Sequence, residues 1–256
     1  VSTSFNVVEG VATVNGTSFA TLQEAIDSVK TKSTVKLMAN VTESIVIAEN
    51  KNIILDLNGY NIRSEYLDGL NLKASEIIEN YSAITNVGTL VIKGNGIIDG
   101  RTDSTPAVFN IGTLTLEGGT YTRSTETAIK AGVSYTDKTV NSYYTISNLG
   151  DLIVNGNNVM ISSDSVRSSA LANGWNNDYP INYPVNPTAN LTVKKGTIKG
   201  GKHAITNNKG NIIIDGGNIL SKNTGGKDAI GHDIGVITIN SGVIQSTTGV
   251  AITADP

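Results

Sequence analysis

A short phrase recurs six times along this chain: a glycine, alternating aliphatic residues, a second glycine and one more aliphatic residue. The first copy reads GTLVIKGNGII from Gly88, and the later copies begin at Gly112, Gly150, Ala189, Gly210 and Gly235. The starts are 24, 38, 39, 21 and 25 residues apart. A repeat of about 20–25 residues that is built from strands is typical of a solenoid, in which each repeat packs against its neighbours. The two long intervals indicate insertions into an otherwise regular array.

Each copy contains two aliphatic residues at alternate positions. The pairs are Leu90 and Ile92, Leu114 and Leu116, Leu152 and Val154, Leu191 and Val193, Ile212 and Ile214, and Ile237 and Ile239. Alternation with period two places both members on one face of a strand, so we expect both to point into the core. A glycine follows each pair, or Asn157 in the third copy, and predicts a bend with a left-handed backbone.

A third short stretch closes each repeat. It is marked by an alanine, usually followed by isoleucine, at Ala83, Ala107, Ala128, Ala204, Ala229 and Ala251. Three short strands per repeat describe an all-β, parallel β-helix. Left-handed β-helices usually keep a strict hexapeptide pattern with 18 residues per turn, and this repeat is longer and irregular. The sequence therefore predicts a right-handed β-helix.

Polar residues recur two positions before the start of most copies. They are Asn86, Asn110, Asn148, Asn208 and Asp233. When strands stack about 4.8 Å apart, amide side chains at one position can hydrogen-bond along the stack. We therefore expect a structural asparagine ladder.

The amino-terminal region has a different pattern. Thr21 and Glu24 form a capping box, and Leu22, Ala25 and Ile26 make an apolar stripe at helical spacing. This predicts a helix over about 21–30 that covers the open end of the coil, followed by strands at 35–38, 44–48 and 53–57. We find no composition break and expect 1–256 to form a single domain.

Composition limits the possible functions. Charged residues make up 16% of the chain, the net charge is −3, and no basic stretch stands out, so we expect no nucleic-acid partner. The sequence contains no apolar run of membrane-spanning length. Two histidines and no cysteine make a transition-metal site improbable, so we expect no cofactor, with calcium left open. We expect a monomer.

The segments FATLQEAIDSV (19–29), NIILDLNGYNI (52–62) and GTLVIKGNGIIDG (88–100) resemble the pectin-lyase-like right-handed β-helix superfamily. The chain more narrowly resembles repeat domains of large surface proteins of Gram-positive gut bacteria. This resemblance implies the β-helix fold and an extracellular or cell-surface location. It leaves activity open, because the superfamily includes lyases, glycosidases, binding modules and adhesins.

An enzyme of this superfamily would need acidic side chains stacked on neighbouring repeats. In each copy, the residue directly after the second aliphatic is expected to point outward. Lysines, acids and amides are mixed at this position, which is occupied by Lys93, Glu117, Asn155, Lys194, Asp215 and Asn240. This pattern suits ladder pairing. Asp99, His203 and the pair His232 and Asp233 are the remaining catalytic candidates, and we interpret each as structural.

Two insertions, at about 131–147 and 171–188, account for the long intervals. We expect both to leave the same corner of the coil and to lie side by side. Together they contain five of the nine tyrosines and the only tryptophan. The candidate binding residues are Tyr135, Tyr143, Tyr144, Trp175, Asn176, Asn177, Asp178, Tyr179 and Tyr183. Aromatic rings with neighbouring amides suit sugars and protein partners alike, and the alternative is that they pack against the coil wall.

A third insertion, at about 63–81, carries Glu65, Asp68, Glu76 and Glu79, and is interpreted as a solvated acidic segment. The leading hypothesis is a non-catalytic adhesin-like module that binds host glycan or host protein through aromatic loops at one corner. The alternatives are a polysaccharide lyase or glycoside hydrolase, and a passive spacer.

Overall fold

The structure is a computed structural model that describes residues 10–66, 80–101, 105–124, 144–165, 168–174, 188–222 and 224–254. Short β-strands dominate these ranges, with the seven-residue helix α1 (Leu22–Ser28) near the start. The strands form two long sheets in which the pairing is parallel, apart from one amino-terminal hairpin. This confirms the all-β class and is compatible with a parallel β-solenoid.

The strands fall into three columns, and each repeat contributes to all three. The first column contains β3 (Ser33–Leu37), β6 (Asn52–Asp56), β9 (Thr89–Lys93), β12 (Thr113–Leu116), β15 (Asp151–Val154), β18 (Ala189–Val193), β21 (Gly210–Ser221) and β23 (Ile237–Ser246). The second column contains β4 (Val41–Thr42), β7 (Ile62–Arg63), β10 (Ile97–Asp99), β13 (Thr120–Thr122), β16 (Met160–Ser162) and β19 (Thr197–Gly200). Because β21 and β23 run through the bend, they extend into this column and join it to the first as one sheet.

The third column forms the other sheet. It contains β5 (Ile45–Ile47), β8 (Ile84–Asn86), β11 (Val108–Asn110), β14 (Tyr144–Asn148), β17 (Ser169–Asn173), β20 (Ile205–Asn207), β22 (Ile230–His232) and β24 (Ile252–Ala254).

Each strand pairs with the equivalent strand of the neighbouring repeat. Leu114 of β12 lies opposite Leu90 of β9 on one side and Leu152 of β15 on the other. The third column keeps the same register, since Val108 of β11 lies opposite Ile84 of β8. Residues at equivalent positions of the repeat therefore stack about 4.8 Å apart.

The predicted aliphatic pairs form the interior. In the five copies from Gly88 to Gly210, both members are at most 1% exposed. In the last copy Ile237 is only partly buried and Ile239 is 48% exposed. The reason is positional, because among the described strands none pairs with the far side of β23.

Helix α1 packs near the opposite end, as predicted. The Thr21 side chain accepts a hydrogen bond from the Glu24 amide, and the Glu24 carboxylate accepts one from the Thr21 amide. Leu22, Ala25 and Ile26 are fully buried in the core.

A hairpin precedes the helix and was not predicted. Strand β1 (Ala12–Val14) pairs antiparallel with β2 (Thr17–Phe19) and with β3. Asn15 and Gly16 connect β1 to β2 with φ values of 49° and 84°. An Asn-Gly pair between short apolar runs is a strong hairpin signal because both residues tolerate positive φ. The sequence therefore contained a signal that the repeat-based prediction did not use.

The asparagine ladder is present and buried. Nδ2 of Asn86 donates to Oδ1 of Asn110 at 2.7 Å, and Nδ2 of Asn110 donates to Oδ1 of Asn148 at 2.7 Å. The ladder continues from Asn148 to Asn173 and from Asn173 to Asn207, each at 2.8 Å. All five side chains lie in the third column and are fully buried.

The prediction for the last ladder positions was wrong by one residue. Asn207 and His232 occupy the column, and Asn208 and Asp233 do not. The connection from the third strand to the next copy is one residue longer in these two repeats, so counting back two positions from the copy start misses the ladder. Asn173 was missed because residues 175–187 separate it from the copy that begins at Ala189.

Candidate functional site

One of the nine predicted binding residues, Tyr144, belongs to the described part of the chain. It is the first residue of β14 and is half-buried. The others lie outside the described residues: Tyr135, Tyr143, Trp175, Asn176, Asn177, Asp178, Tyr179 and Tyr183. Because Ile146 of β14 lies opposite Val108, residues 144–147 belong to the sheet and not to the predicted insertion 131–147.

The expectation that both insertions leave one corner is wrong. Residues 125–143 connect β13 of the second column to β14 of the third column. Residues 175–187 connect β17 of the third column to β18 of the first column in the next repeat. The error arose because Ala128 and Ile129 imitate the Ala-Ile stretch, whereas Thr145 and Ile146 take that place in the stack.

The two segments nevertheless attach to neighbouring strands. Tyr144 of β14 lies opposite Ser169 of β17, and Asn148 lies opposite Asn173. The first segment ends where β14 begins, and the second starts just after β17 ends. The two attachment points therefore lie at opposite ends of adjacent five-residue strands, on the order of 15 Å apart.

The outer face between these attachment points is covered by other parts of the chain. Thr85, Phe109, Ser147 and Ala172 occupy one outward column of the third-column sheet and are at most 5% exposed. Phe109 is fully buried but does not belong to the central hydrophobic cluster. We call these four residues the covered face.

Asp99, a catalytic candidate from the sequence, is held in a structural network. Its Oδ1 accepts hydrogen bonds from the amides of Arg101 at 2.7 Å and Ser124 at 2.8 Å, and its Oδ2 accepts one from the Ser124 hydroxyl. Oδ2 also lies 3.3 Å from Nε of Arg63 and forms an ion pair with it. The geometry of this contact is not that of a hydrogen bond, so Nε of Arg63 has no hydrogen-bond partner among the described residues. Asp99 is 7% exposed. Through these contacts its carboxylate organises the turn after β10.

His203 is fixed by a backbone contact. Its Nδ1 lies 2.9 Å from the carbonyl oxygen of Asp228, which requires the proton on Nδ1. Burial lowers the pKa of His203. The hydrogen bond to the Asp228 carbonyl raises this pKa, and the positive charges of Lys202 and Lys227 lower it further. The Asp228 carboxylate is directed elsewhere, since it accepts hydrogen bonds from the Thr253 hydroxyl and the Val250 amide. A His–Asp catalytic pair therefore does not form here.

His232 and Asp233 also separate in the structure. Nδ1 of His232 accepts a hydrogen bond from Nδ2 of Asn207 at 2.8 Å, which places this histidine in the ladder. Asp233 is exposed, and its amide donates to the carbonyl of Asn207. His232 therefore has a structural role, as expected, but it is His232 that occupies the ladder column and not the predicted Asp233.

A polar cleft that the sequence analysis missed lies at the bend between the first and second columns. It has a volume of about 370 Å³ and is lined by Asn157, Lys194, Lys195, Gly196, Thr197, Gly217 and Asn218. We call it the lysine cleft. Lys194 and Lys195 are both exposed and stand where the chain turns from β18 to β19. The signal was available in the repeat alignment, because Lys195 occupies a column that is otherwise glycine or serine in the neighbouring copies.

The described residues contain no group of three or more histidine, aspartate or glutamate side chains arranged to hold a metal ion. No helix in the described ranges is long and apolar enough to span a membrane.

Comparison of the chain with protein-family models, curated proteins and solved structures found no match.

Proposed function

We propose that this chain is a non-catalytic, adhesin-like binding module of the bacterial cell surface or of a secreted protein. It is a right-handed parallel β-helix of the pectin-lyase-like type, and it recognises host glycan or host protein through the aromatic residues of 131–143 and 175–187. The observation that carries the proposal is the pairing of β14 with β17, with Tyr144 opposite Ser169. This pairing ties the two aromatic-rich segments to one rigid pair of strands.

A rigid scaffold favours binding through attached segments. Residues that join strands of a hydrogen-bonded sheet have little freedom at their ends, which lowers the entropy cost of ordering them around a partner. Pro180, Pro184 and Pro187 reduce the conformational freedom of the second segment further. Long connections on a fixed framework frequently carry binding residues.

The contacts of the catalytic candidates support a non-catalytic module. Asp99, His203 and His232 each make hydrogen bonds that stabilise the coil: Asp99 to a turn, His203 to a backbone carbonyl and His232 to the ladder. Among these contacts neither histidine is paired with a carboxylate, as a catalytic His–Asp pair would be.

The test is a glycan array combined with a pull-down of host surface proteins, performed on the whole chain. We expect a specific ligand whose binding is lost in Trp175→Ala and retained in Trp175→Phe, with a melting temperature near that of the parent chain. Tyr60→Ala is the control, because Tyr60 packs beside the core and belongs to neither segment. A strong drop in melting temperature for Trp175→Ala would instead assign this ring to packing.

Two other results would replace the proposal. Release of products from a panel of pectin, alginate and glycosaminoglycans would show an enzyme. No ligand in either assay would identify a spacer.

A further inference from the structure

We infer that the lysine cleft binds an anionic group carried by a glycan chain, either a sulfate ester or a uronate carboxylate. This goes beyond the proposed function, because no residue of the lysine cleft belongs to the aromatic segments.

The shape of the cleft follows from irregularities in two consecutive bends. Two residues after the second aliphatic of each copy, the sequence has Gly94, Gly118, Gly156, Lys195, Gly216 and Ser241. Lys195 is thus the one long side chain at a repeat position that is otherwise glycine or serine. Gly216 on the next repeat lies close against the backbone of Lys194, since a Cβ there would lie 2.3 Å from the carbonyl oxygen of Lys194.

The neighbouring bend supplies a rim. Thr120 of one repeat pairs with Met160 of the next, and Met160 pairs with Thr197. The bend that leads to Met160 is two residues longer than the bends before and after it, and Asn157 belongs to this longer bend. Asn157 of this longer bend and Gly217, with φ of 78°, both line the cleft.

The residues that line the cleft include two lysines, Lys194 and Lys195, and no acidic residue. Val193 lies opposite Ile214, so Asp215 is the cross-strand neighbour of Lys194, and its Oδ1 accepts a hydrogen bond from Nδ2 of Asn240. Ion pairs among the described residues engage Arg63, Lys93 and Lys222, and none engages Lys194 or Lys195. Two exposed lysines at consecutive positions, with no ion pair to a carboxylate in the described part of the chain, favour an external anion.

The remaining lining groups suit a sugar. Asn157, Thr197 and Asn218 present amides and a hydroxyl to the cleft, and Thr197 lies directly opposite Asn218 on the adjacent strand. Amides and hydroxyls can both donate and accept hydrogen bonds, as sugar hydroxyls require. The volume of about 370 Å³ is at the small end for ligand sites, which suits one charged sugar unit of a longer chain.

The same lining argues against a nucleic acid. Proteins that bind single strands combine basic grooves with aromatic side chains on which bases stack, and none of the residues lining this cleft is aromatic.

The experiment measures binding of the whole chain to four probes: heparin, polygalacturonate, neutral dextran and single-stranded DNA. Heparin tests the sulfate source and polygalacturonate the carboxylate source. We expect binding of at least one of these two that weakens with added salt, and no binding of dextran. The double variant Lys194→Gln/Lys195→Gln should weaken it at least about ten-fold.

Two variants make the result specific. Lys36→Gln/Lys209→Gln changes the same number of charges at exposed lysines outside the cleft and should leave the affinity within about two-fold. Lys194→Arg/Lys195→Arg keeps the charge and should retain binding. The melting temperature of every variant checks that it is folded.

The inference is overturned if neither anionic glycan binds, if the control variant loses as much affinity as the cleft variant, or if the DNA binds as tightly as the better glycan. These outcomes are independent of the proposed function. Trp175→Ala can lose the array ligands even if the lysine cleft binds nothing. Conversely, Trp175→Ala can still bind anionic glycans through the lysine cleft.

Discussion

Nδ2 of Asn207 donates a hydrogen bond to Nδ1 of His232 at 2.8 Å, so a histidine occupies the last position of a ladder of asparagines. The amide nitrogen of Asn207 can only donate, so the imidazole nitrogen Nδ1 is the acceptor in this contact. At the other end, Oδ1 of Asn86 is buried without a hydrogen-bond partner. The residue before it in the column is Ile47, which has no side-chain donor. The ladder is therefore directional, with each amide donating towards the carboxyl-terminal repeats.

Removing an amide from the middle of the ladder should destabilise the fold strongly. Asn148 accepts from Asn110 and donates to Asn173 and to the carbonyls of Gly150 and Asn190. We expect Asn148→Ala to lower the free energy of unfolding by about 2–4 kcal/mol, because it leaves buried partners unsatisfied. The measurement is denaturant unfolding.

Asn190→Ala is the matched control for the ladder. Asn190 belongs to a second row of amides and carboxylates on the exposed outer face, where its Nδ2 donates to Oδ1 of Asp151 at 2.9 Å. Water can replace this contact, so we expect a change within about 0.5 kcal/mol. Equal losses in the two variants would contradict a buried, cooperative ladder.

Two isoleucines at the same repeat position should differ in their importance. Ile214 is fully buried, while Ile239, its partner on the neighbouring strand, is 48% exposed. Ile214→Ala should cost about 2–5 kcal/mol through lost burial and a cavity. Ile239→Ala should cost less than half as much, since water already reaches its site. Thermal and denaturant unfolding of both variants decide this, and a reversed order would show that the last repeat is buried in solution.

The Asp99 carboxylate should matter for stability through its hydrogen bonds. Asp99→Ala would leave the amides of Arg101 and Ser124 and the guanidinium of Arg63 without their partner. We expect a loss of about 2–3 kcal/mol in the free energy of unfolding. Asp99→Asn should lose less, because the remaining amide oxygen can still accept one backbone hydrogen bond. A loss of ligand binding with unchanged stability would instead place Asp99 in a functional site.

The stability of the chain should depend on the protonation of His203. Burial lowers the pKa of His203 below its ordinary value, so the folded state takes up a proton less readily than the unfolded chain. The contribution of His203 is therefore complete above about pH 6.5 and is lost as the pH falls through the lowered pKa. His203→Gln should flatten this part of the pH dependence. Unfolding curves between pH 8 and 5, with NMR titration of both imidazoles, measure the effect; identical pH profiles for the parent chain and His203→Gln would refute it.

Local patterns determined most of the framework. Alternation of residues such as Leu114 and Leu116 predicts a buried strand, because only period two places both side chains on one face. Thr21 and Glu24 predict the start of α1, since a capping box satisfies amides within the same turn. These features depend on neighbours in sequence, and the structure confirms them.

Features that depend on the length of a connection were harder to predict. The sequence could not distinguish Ala128 from Thr145 as the third-strand position, because a two-residue pattern carries no information about its partner strand. Asn157 was expected to take a left-handed bend, but it is not among the positive-φ residues, since its bend is two residues longer. The lysine cleft was missed for the same reason: it combines side chains from three consecutive repeats.

The sequence by itself determined the repeat, the buried aliphatic rows, the capping helix and the first three members of the ladder, because each follows from periodicity or from contacts within a turn. Only the tertiary structure decided which strands are neighbours across the long insertions. It thereby placed Asn173, Asn207 and His232 in one column, moved the two aromatic segments to different corners, and brought Lys195 between Asn157 and Asn218. Stacking depends on strand register, and register is set by which faces are buried and by the lengths of the turns between strands, so it joins residues that are distant in sequence.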